Sequence, residues 1–292
     1  MKAIVAIVPL LAVALAGCAD GPADIDIRHV HGLAYDPVQD ALFVATHHGL
    51  ARGSHDGDWT WRYVGSDRFD YMGFTQDAER PGVFYASGHP DDPHTYGAVH
   101  LGLRRSLDSG ATWQERSLRG LVDFHALTSL PGAEGWVAGF WQGAIKVSRD
   151  GGATWQDDEA PPGTVLALAA APGQLMAGTD SGLWVARDLD TLGDWTLMGE
   201  GLPAVVTSLA AATDGMTMLA SAAVGQSVAS YRSLDAGASW TKLAVPQLSD
   251  QPAPVVFAFD PSDASHAFAS TSDGRIMESD DDGSAWTTIR DA

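Results

Sequence analysis

An eight-residue pattern returns along the chain at near-even intervals, and it restricts the fold more than any other feature. Ser106-Leu-Asp108-Ser-Gly110-Ala-Thr112-Trp113 recurs as Ser148-Arg-Asp150-Gly-Gly152-Ala-Thr154-Trp155 and as Ser233-Leu-Asp235-Ala-Gly237-Ala-Ser239-Trp240. Weaker copies run from Ser279 to Trp286 and from Ser54 to Trp61, and a degenerate one from Asp190 to Trp195. The tryptophans Trp61, Trp113, Trp155, Trp195, Trp240 and Trp286 are spaced by 52, 42, 40, 45 and 46 residues, the length of a four-stranded propeller blade. The pattern suits a hairpin turn: serine and aspartate side chains bond turn backbone, glycine takes the positive φ, and tryptophan packs against the blade. With 32 glycines, 10 tryptophans and only 18% charged residues, the composition fits short strands and tight turns. The expected fold is all-β, a six-bladed propeller over residues 29–292 with these turns joining the third and fourth strands of each blade. Closing the ring leaves no long open sheet edge.

The fourth unit shows the plan, with strands expected at 165–168, 174–178, 183–186 and 195–198. Blades are expected to begin near His29, Asp70, Asp123, Thr164, Val205 and Val255. Ahead of them, Lys2 precedes an apolar run from Ala3 to Ala14 that is too short to span a bilayer, followed by Leu15-Ala16-Gly17-Cys18. Those four residues resemble the bacterial lipoprotein signal. The resemblance implies a signal peptide at 1–17, lipidation of Cys18, a polar tether over 18–28, and a mature protein anchored outside the cytoplasmic membrane. Cys18 is the sole cysteine, which excludes a disulfide framework and a multi-cysteine metal knot.

A formal charge of -20 opposes phosphate binding, so a nucleic-acid partner is not expected. There is no Gly-x-x-x-x-Gly-Lys cradle and no Gly-x-Ser-x-Gly elbow, and no nucleotide cofactor is expected.

The S-x-D-x-G-x-T-W copies resemble the Asp-box of the BNR propellers, a group that includes sialidases and the sortilin type. The start His29-Val-His31-Gly-Leu, with such repeats, is similar to bacterial lipoproteins commonly labelled glycosyl hydrolases. That resemblance implies a hydrolase acting on surface glycans, or a scaffold that assembles a membrane complex. Sialidase chemistry would need an arginine triad, a tyrosine-glutamate pair and an acid aspartate. Here Ile27-Arg28-His29 is a poor match to the family's Arg-Ile-Pro, and Tyr231 has no glutamate in range. Asp70 and Asp123 remain candidates for an acid-base pair of another kind.

The histidines point elsewhere. In an up-and-down blade, the links between strands two and three and the links between blades share one face, here called upper. Eight of the ten histidines map there, all from the first three blades: His29, His31, His47, His48, His89, His94, His100 and His125. His31, Met72, His125, Leu166, Thr207 and Phe257 are expected at equivalent positions around the ring. Two residues earlier stand His29, Asp70 and Asp123, on the same faces by strand alternation. His29, His31, His47, His48, Met72, His89, His94 and His125 are therefore the candidate metal or ligand residues. Imidazole with carboxylate suits zinc, copper, iron or nickel, and the thioether leans the choice toward copper. The insertion from His89 to His100 is expected to lie over this half as a flap, and Tyr96 and Trp141 are candidates for stacking on a sugar ring.

Overall fold

The computed structural model describes residues 25–132, 134–243, 254–271 and 273–292. The signal segment, Cys18 and the tether up to residue 24 lie outside the described residues. Among those described, 24 strands form six four-stranded antiparallel sheets, each in sequence order: a six-bladed β-propeller. Blade one comprises β1 (Gly32–Asp36), β2 (Ala41–Thr46), β3 (Gly49–Asp56) and β4 (Asp58–Tyr63). Blade two holds β5 (Asp70–Gln76), β6 (Phe84–His89), a short helix α1 (Pro93–Tyr96), β7 (Leu103–Ser106) and β8 (Gln114–Ser117). Blade three holds β9 (Leu127–Ser129), β10 (Val137–Trp141), β11 (Ala144–Ser148) and β12 (Gln156–Glu159). The strands of the remaining blades run within 165–198, 206–242 and 254–290.

Hydropathy along each strand follows its place in the blade. The inner strand β2, Ala-Leu-Phe-Val-Ala-Thr, is buried at every residue because neighbouring blades cover both of its faces. The rim strand β4 alternates exposed and half-buried residues. The apolar residues collect into six clusters, one at each seam between blades.

Four copies of the repeat build the same turn. In the strongest, Ser106 Oγ accepts from the Gly110 N–H at 2.8 Å, and the Asp108 carboxylate accepts from the Thr112 N–H at 2.8 Å and its hydroxyl at 2.7 Å. The turns at Asp150, Asp235 and Asp281 repeat this pairing of aspartate with backbone. The backbone N–H and hydroxyl of Thr154 hold the Asp150 carboxyl down at about 2. Gly110, at φ +82°, sits over blade one, where a Cβ would come within 2.3 Å of Leu50. The copy near Asp56 is instead a tight hairpin pairing Asp56 with Asp58. The degenerate copy caps its turn with Asp188.

The first strands of blades two, four, five and six carry a register shift on entry, at Met72, Leu166, Thr207 and Val255. Thr46, Thr179 and Thr271 fix the comparison, since each hydroxyl donates to a carbonyl three or four residues on, across the following link. By that register Val255, not Phe257, is the sixth equivalent of His31. The expected Phe257 is two residues late because the sixth blade's first strand begins at Pro254, ahead of its aromatic run.

Among the described residues no strand is exchanged between the sixth blade and the first, and the ring closes there through packing and side-chain hydrogen bonds. Ile25 and Ile27 are buried in that seam with Leu33, Leu42, Phe268 and Ile276. The Tyr63 hydroxyl donates to the Asp26 carbonyl at 3.0 Å, and Arg290 donates to that of Ile25. The expected tether over 18–28 therefore gives way to packed chain by Ile25, because two isoleucines find an apolar seam.

On the lower face of the same seam, His266 lies against Tyr35, its ring nitrogens 2.9 Å from Glu278 and 3.1 Å from Asp260. The hydrogen bond to Glu278 outweighs burial and, with Asp260, raises the imidazole to about 9. A raised value favours the folded state below the unfolded value of 6.5, and that contribution fades as pH climbs through about 9. His266→Gln is expected to cost about 2 kcal/mol near pH 6 and little near pH 10. Urea denaturation at both pH values checks this; a difference independent of pH refutes it.

Candidate metal centre

The first strands of all six blades line a central channel of about 650 Å³. Its wall is built from small residues such as Gly32, Ala34, Ala126, Ala167 and Ser208, which keep it open, with His31 and His125 in the lining. Around this end the folded ring gathers residues far apart in sequence.

Three donors converge most closely. His31 enters β1, His47 lies in the β2–β3 link, and Asp70 opens β5; their ligand atoms all lie within 4.8 Å of one another. His47 Nδ1 is 2.6 Å from Asp70 Oδ2, and His31 Nε2 is 3.7 Å from Asp70 Oδ1. Asp70 is 8% exposed, yet its Oδ1 has no hydrogen-bond partner, and neither does the buried His31 Nε2. Burial, reinforced by His47, pulls His31 down to about 4 against the attraction of Asp70, so its imidazole is neutral at pH 7. A neutral imidazole with a free ring nitrogen facing an unpartnered carboxylate oxygen is the state in which both act as metal ligands.

A second carboxylate stands beside the first. Asp123, in the link between blades two and three, is 6% exposed and its Oδ1 also lacks a partner. Around its Oδ2 lie His125 Nε2 at 3.3 Å, His89 Nε2 at 3.9 Å and His100 Nδ1 at 3.9 Å. The hydrogen bond to Asp123 raises His125 despite burial. His89 pairs with Asp70 across β5–β6, and its Nδ1 comes within 3.6 Å of Asp70 Oδ2.

The remaining expected residues divide. His29 sits at φ 60°, an uncommon backbone for a residue other than glycine, with its ring 5.1 Å from that of His47. It belongs to the cluster's edge. His48 turns away, with Nε2 3.9 Å from Asp26. His94 is exposed on α1, where Asp92 caps its backbone N–H. Among the described residues no hydrogen bond or ring contact joins Met72 to the cluster. Met72 is itself the extra residue of the β5 bulge, which interrupts the alternation meant to align it with Asp70. His100, on the upper face by sequence but outside the candidate ligands, reaches Asp123 as well, and its place at the flap's far end is the signal for it.

The flap is pinned. Leu101 N–H donates to the Gly88 carbonyl at 2.8 Å, Gly120 N–H to that of His100 at 2.9 Å, and Arg119 to that of Tyr96. Tyr96 packs between Phe69 and the Arg119 guanidinium, and Trp141 stands edge-on to His100. Both expected sugar platforms are thus engaged by protein.

Comparison with known proteins returns architecture. The GH74 xyloglucanase from Xanthomonas campestris superposes with a TM-score of 0.59 at 17% identity, over 90% of this chain and 54% of that one. The likeness is one of fold. YCF48 bound to a D1 peptide gives 0.52 at 14% identity, over 90% of this chain and 82% of that one. The WD40 propeller domain of Doa1 gives 0.57 at 12% identity, over 89% and 81%. This chain spans about half the length of the xyloglucanase it matches. No family model matches the chain, and no curated protein matches it in sequence.

Proposed function

We propose that the protein is an extracytoplasmic, lipid-anchored Asp-box propeller whose upper mouth binds a divalent transition ion, Zn²⁺ or Cu²⁺. One observation carries the metal reading: His31 Nε2 and Asp70 Oδ1, both buried and both without a partner, face each other at 3.7 Å beside His47. Leaving such groups unpaired costs folding energy, and a cation satisfies both. Two imidazoles and a carboxylate suit both Zn²⁺ and Cu²⁺, and a thioether donor such as Met72 would favour copper.

Protein prepared without a histidine tag and dialysed against Zn²⁺ is expected to retain metal that a His31→Ala/His47→Ala variant does not. Elemental analysis of both decides; equal metal in the two, or none in either, refutes the assignment. The anchor is supported by Leu15-Ala16-Gly17-Cys18. Its check is incorporation of labelled palmitate, which Cys18→Ser should abolish. Hydrolysis of surface glycans is a second reading, in keeping with a fold shared with a xyloglucanase, and assembly of a membrane complex a third, in keeping with a fold shared with a peptide-bound propeller. The metal reading draws on this chain's own side chains.

A further inference from the structure

We infer that the mouth takes two divalent transition cations, the second at Asp123 with His125 and His100, and that His89 lies between them as a shared ligand. This rests on the reading of Asp70, His31 and His47 as a metal site and extends it to residues that reading does not use.

The two halves repeat one chemistry. Each centres on a largely buried carboxylate, its side chain 12% exposed at Asp70 and 7% at Asp123, with one oxygen lacking any hydrogen-bond partner. Each also presents a buried imidazole nitrogen without a partner, His31 Nε2 in the first half and His100 Nδ1 in the second. In the first half the two unpartnered atoms face each other, His31 Nε2 and Asp70 Oδ1 at 3.7 Å; in the second, His100 Nδ1 lies 3.9 Å from Asp123 Oδ2 while Oδ1 of the same carboxylate is left without a partner, and buried polar groups are paired as a rule. His89 joins the halves: its Nδ1 lies 3.6 Å from Asp70 and its Nε2 3.9 Å from Asp123. A neutral imidazole carries one ring proton and one lone pair. Ligating both cations therefore requires His89 to release that proton, which leaves to solvent because the side chain is 41% exposed. Two cations also offset the two buried negative charges, which otherwise repel across the ring of His89.

The halves are not equally prepared. Among the described residues, His31, His47 and Asp70 form the one set whose donor atoms all fall within 4.8 Å of each other. The donors around Asp123 must rotate inward, so the second cation binds more weakly.

The test is equilibrium dialysis of tag-free protein against rising Zn²⁺, with bound metal counted by elemental analysis and folding of each metal-free variant checked by thermal unfolding. The starting chain should bind two equivalents in two steps. Asp123→Asn should lose the weaker step and keep the tighter, and His125→Ala, at an exposed side chain, should weaken the same step. Asp70→Asn should lose the tighter step. His89→Ala should weaken both, by about 10-fold or more each. One equivalent that survives Asp123→Asn and vanishes with Asp70→Asn overturns the second site and leaves the first standing. No bound metal in the starting chain overturns both. Two equivalents untouched by Asp123→Asn place the second ion elsewhere and overturn the inference.

Discussion

Asp70→Asn is expected to remove most of the thermal stabilisation that Zn²⁺ gives, while leaving the metal-free protein as stable as before or more so. The carboxylate is 8% exposed, its Oδ2 is met by His47 at 2.6 Å, and its Oδ1 has no partner. Burying a charge that is only half satisfied is unfavourable, and a neutral amide of the same shape relieves it. With metal present the balance reverses. A ligand that binds only the folded state stabilises it by about 4 kcal/mol at a thousandfold excess over its Kd, and the amide supplies no anionic donor. Calorimetry with and without Zn²⁺ separates the two terms. A metal-free variant that loses about 2 kcal/mol or more would make Asp70 a framework residue in place of a ligand.

Gly88→Ala is expected to lower stability by about 3 kcal/mol or more, read from urea denaturation. Gly88 sits at φ +151°, and a Cβ there would stand 1.9 Å from the Asp70 carbonyl and 2.9 Å from the Met72 nitrogen. The obstruction is backbone on both sides, so no side-chain rotation relieves it. The same contact lies directly behind Asp70, and bound Zn²⁺ should fall together with stability. Gly143→Ala is the control: φ is +87° but nothing stands within 4 Å of its Cβ, so only the dihedral penalty of about 1 kcal/mol remains. Equal losses for the two variants would show that the bulge yields freely.

Periodicity accounts for what was legible beforehand. Six tryptophans spaced by 40 to 52 residues imply six blades, and the four strands of the fourth unit lie within a few residues of their expected places. Given that ring, His31, His47, Asp70, His89, Asp123 and His125 had to meet at one mouth. The exceptions share a physical cause. A bulge at Met72 adds a residue that alternation does not reveal and breaks its alignment with Asp70, and the sixth blade's first strand begins at Pro254, ahead of its aromatic run, so Val255 takes the place expected for Phe257. Link residues take their direction from tertiary partners, so His48 turns to Asp26 and His94 stays on the exposed helix. The missed ligand candidate, His100, acquires its meaning from Trp141 and Asp123, which lie in the next blade and its entry. Ile25 and Ile27 looked polar in company and prove apolar in place.

Among the described residues each blade is built from four strands consecutive in the chain, and none is lent to a neighbour. Every side chain placed around Asp70 and Asp123 comes from the chain up to the third blade, whereas residues beyond 164 supply wall and seam packing. The architecture is thus separable at two cuts. Grafting the latter half of another six-spoked ring onto the former, with the apolar faces of both junctions matched, should carry the imidazole cluster across intact.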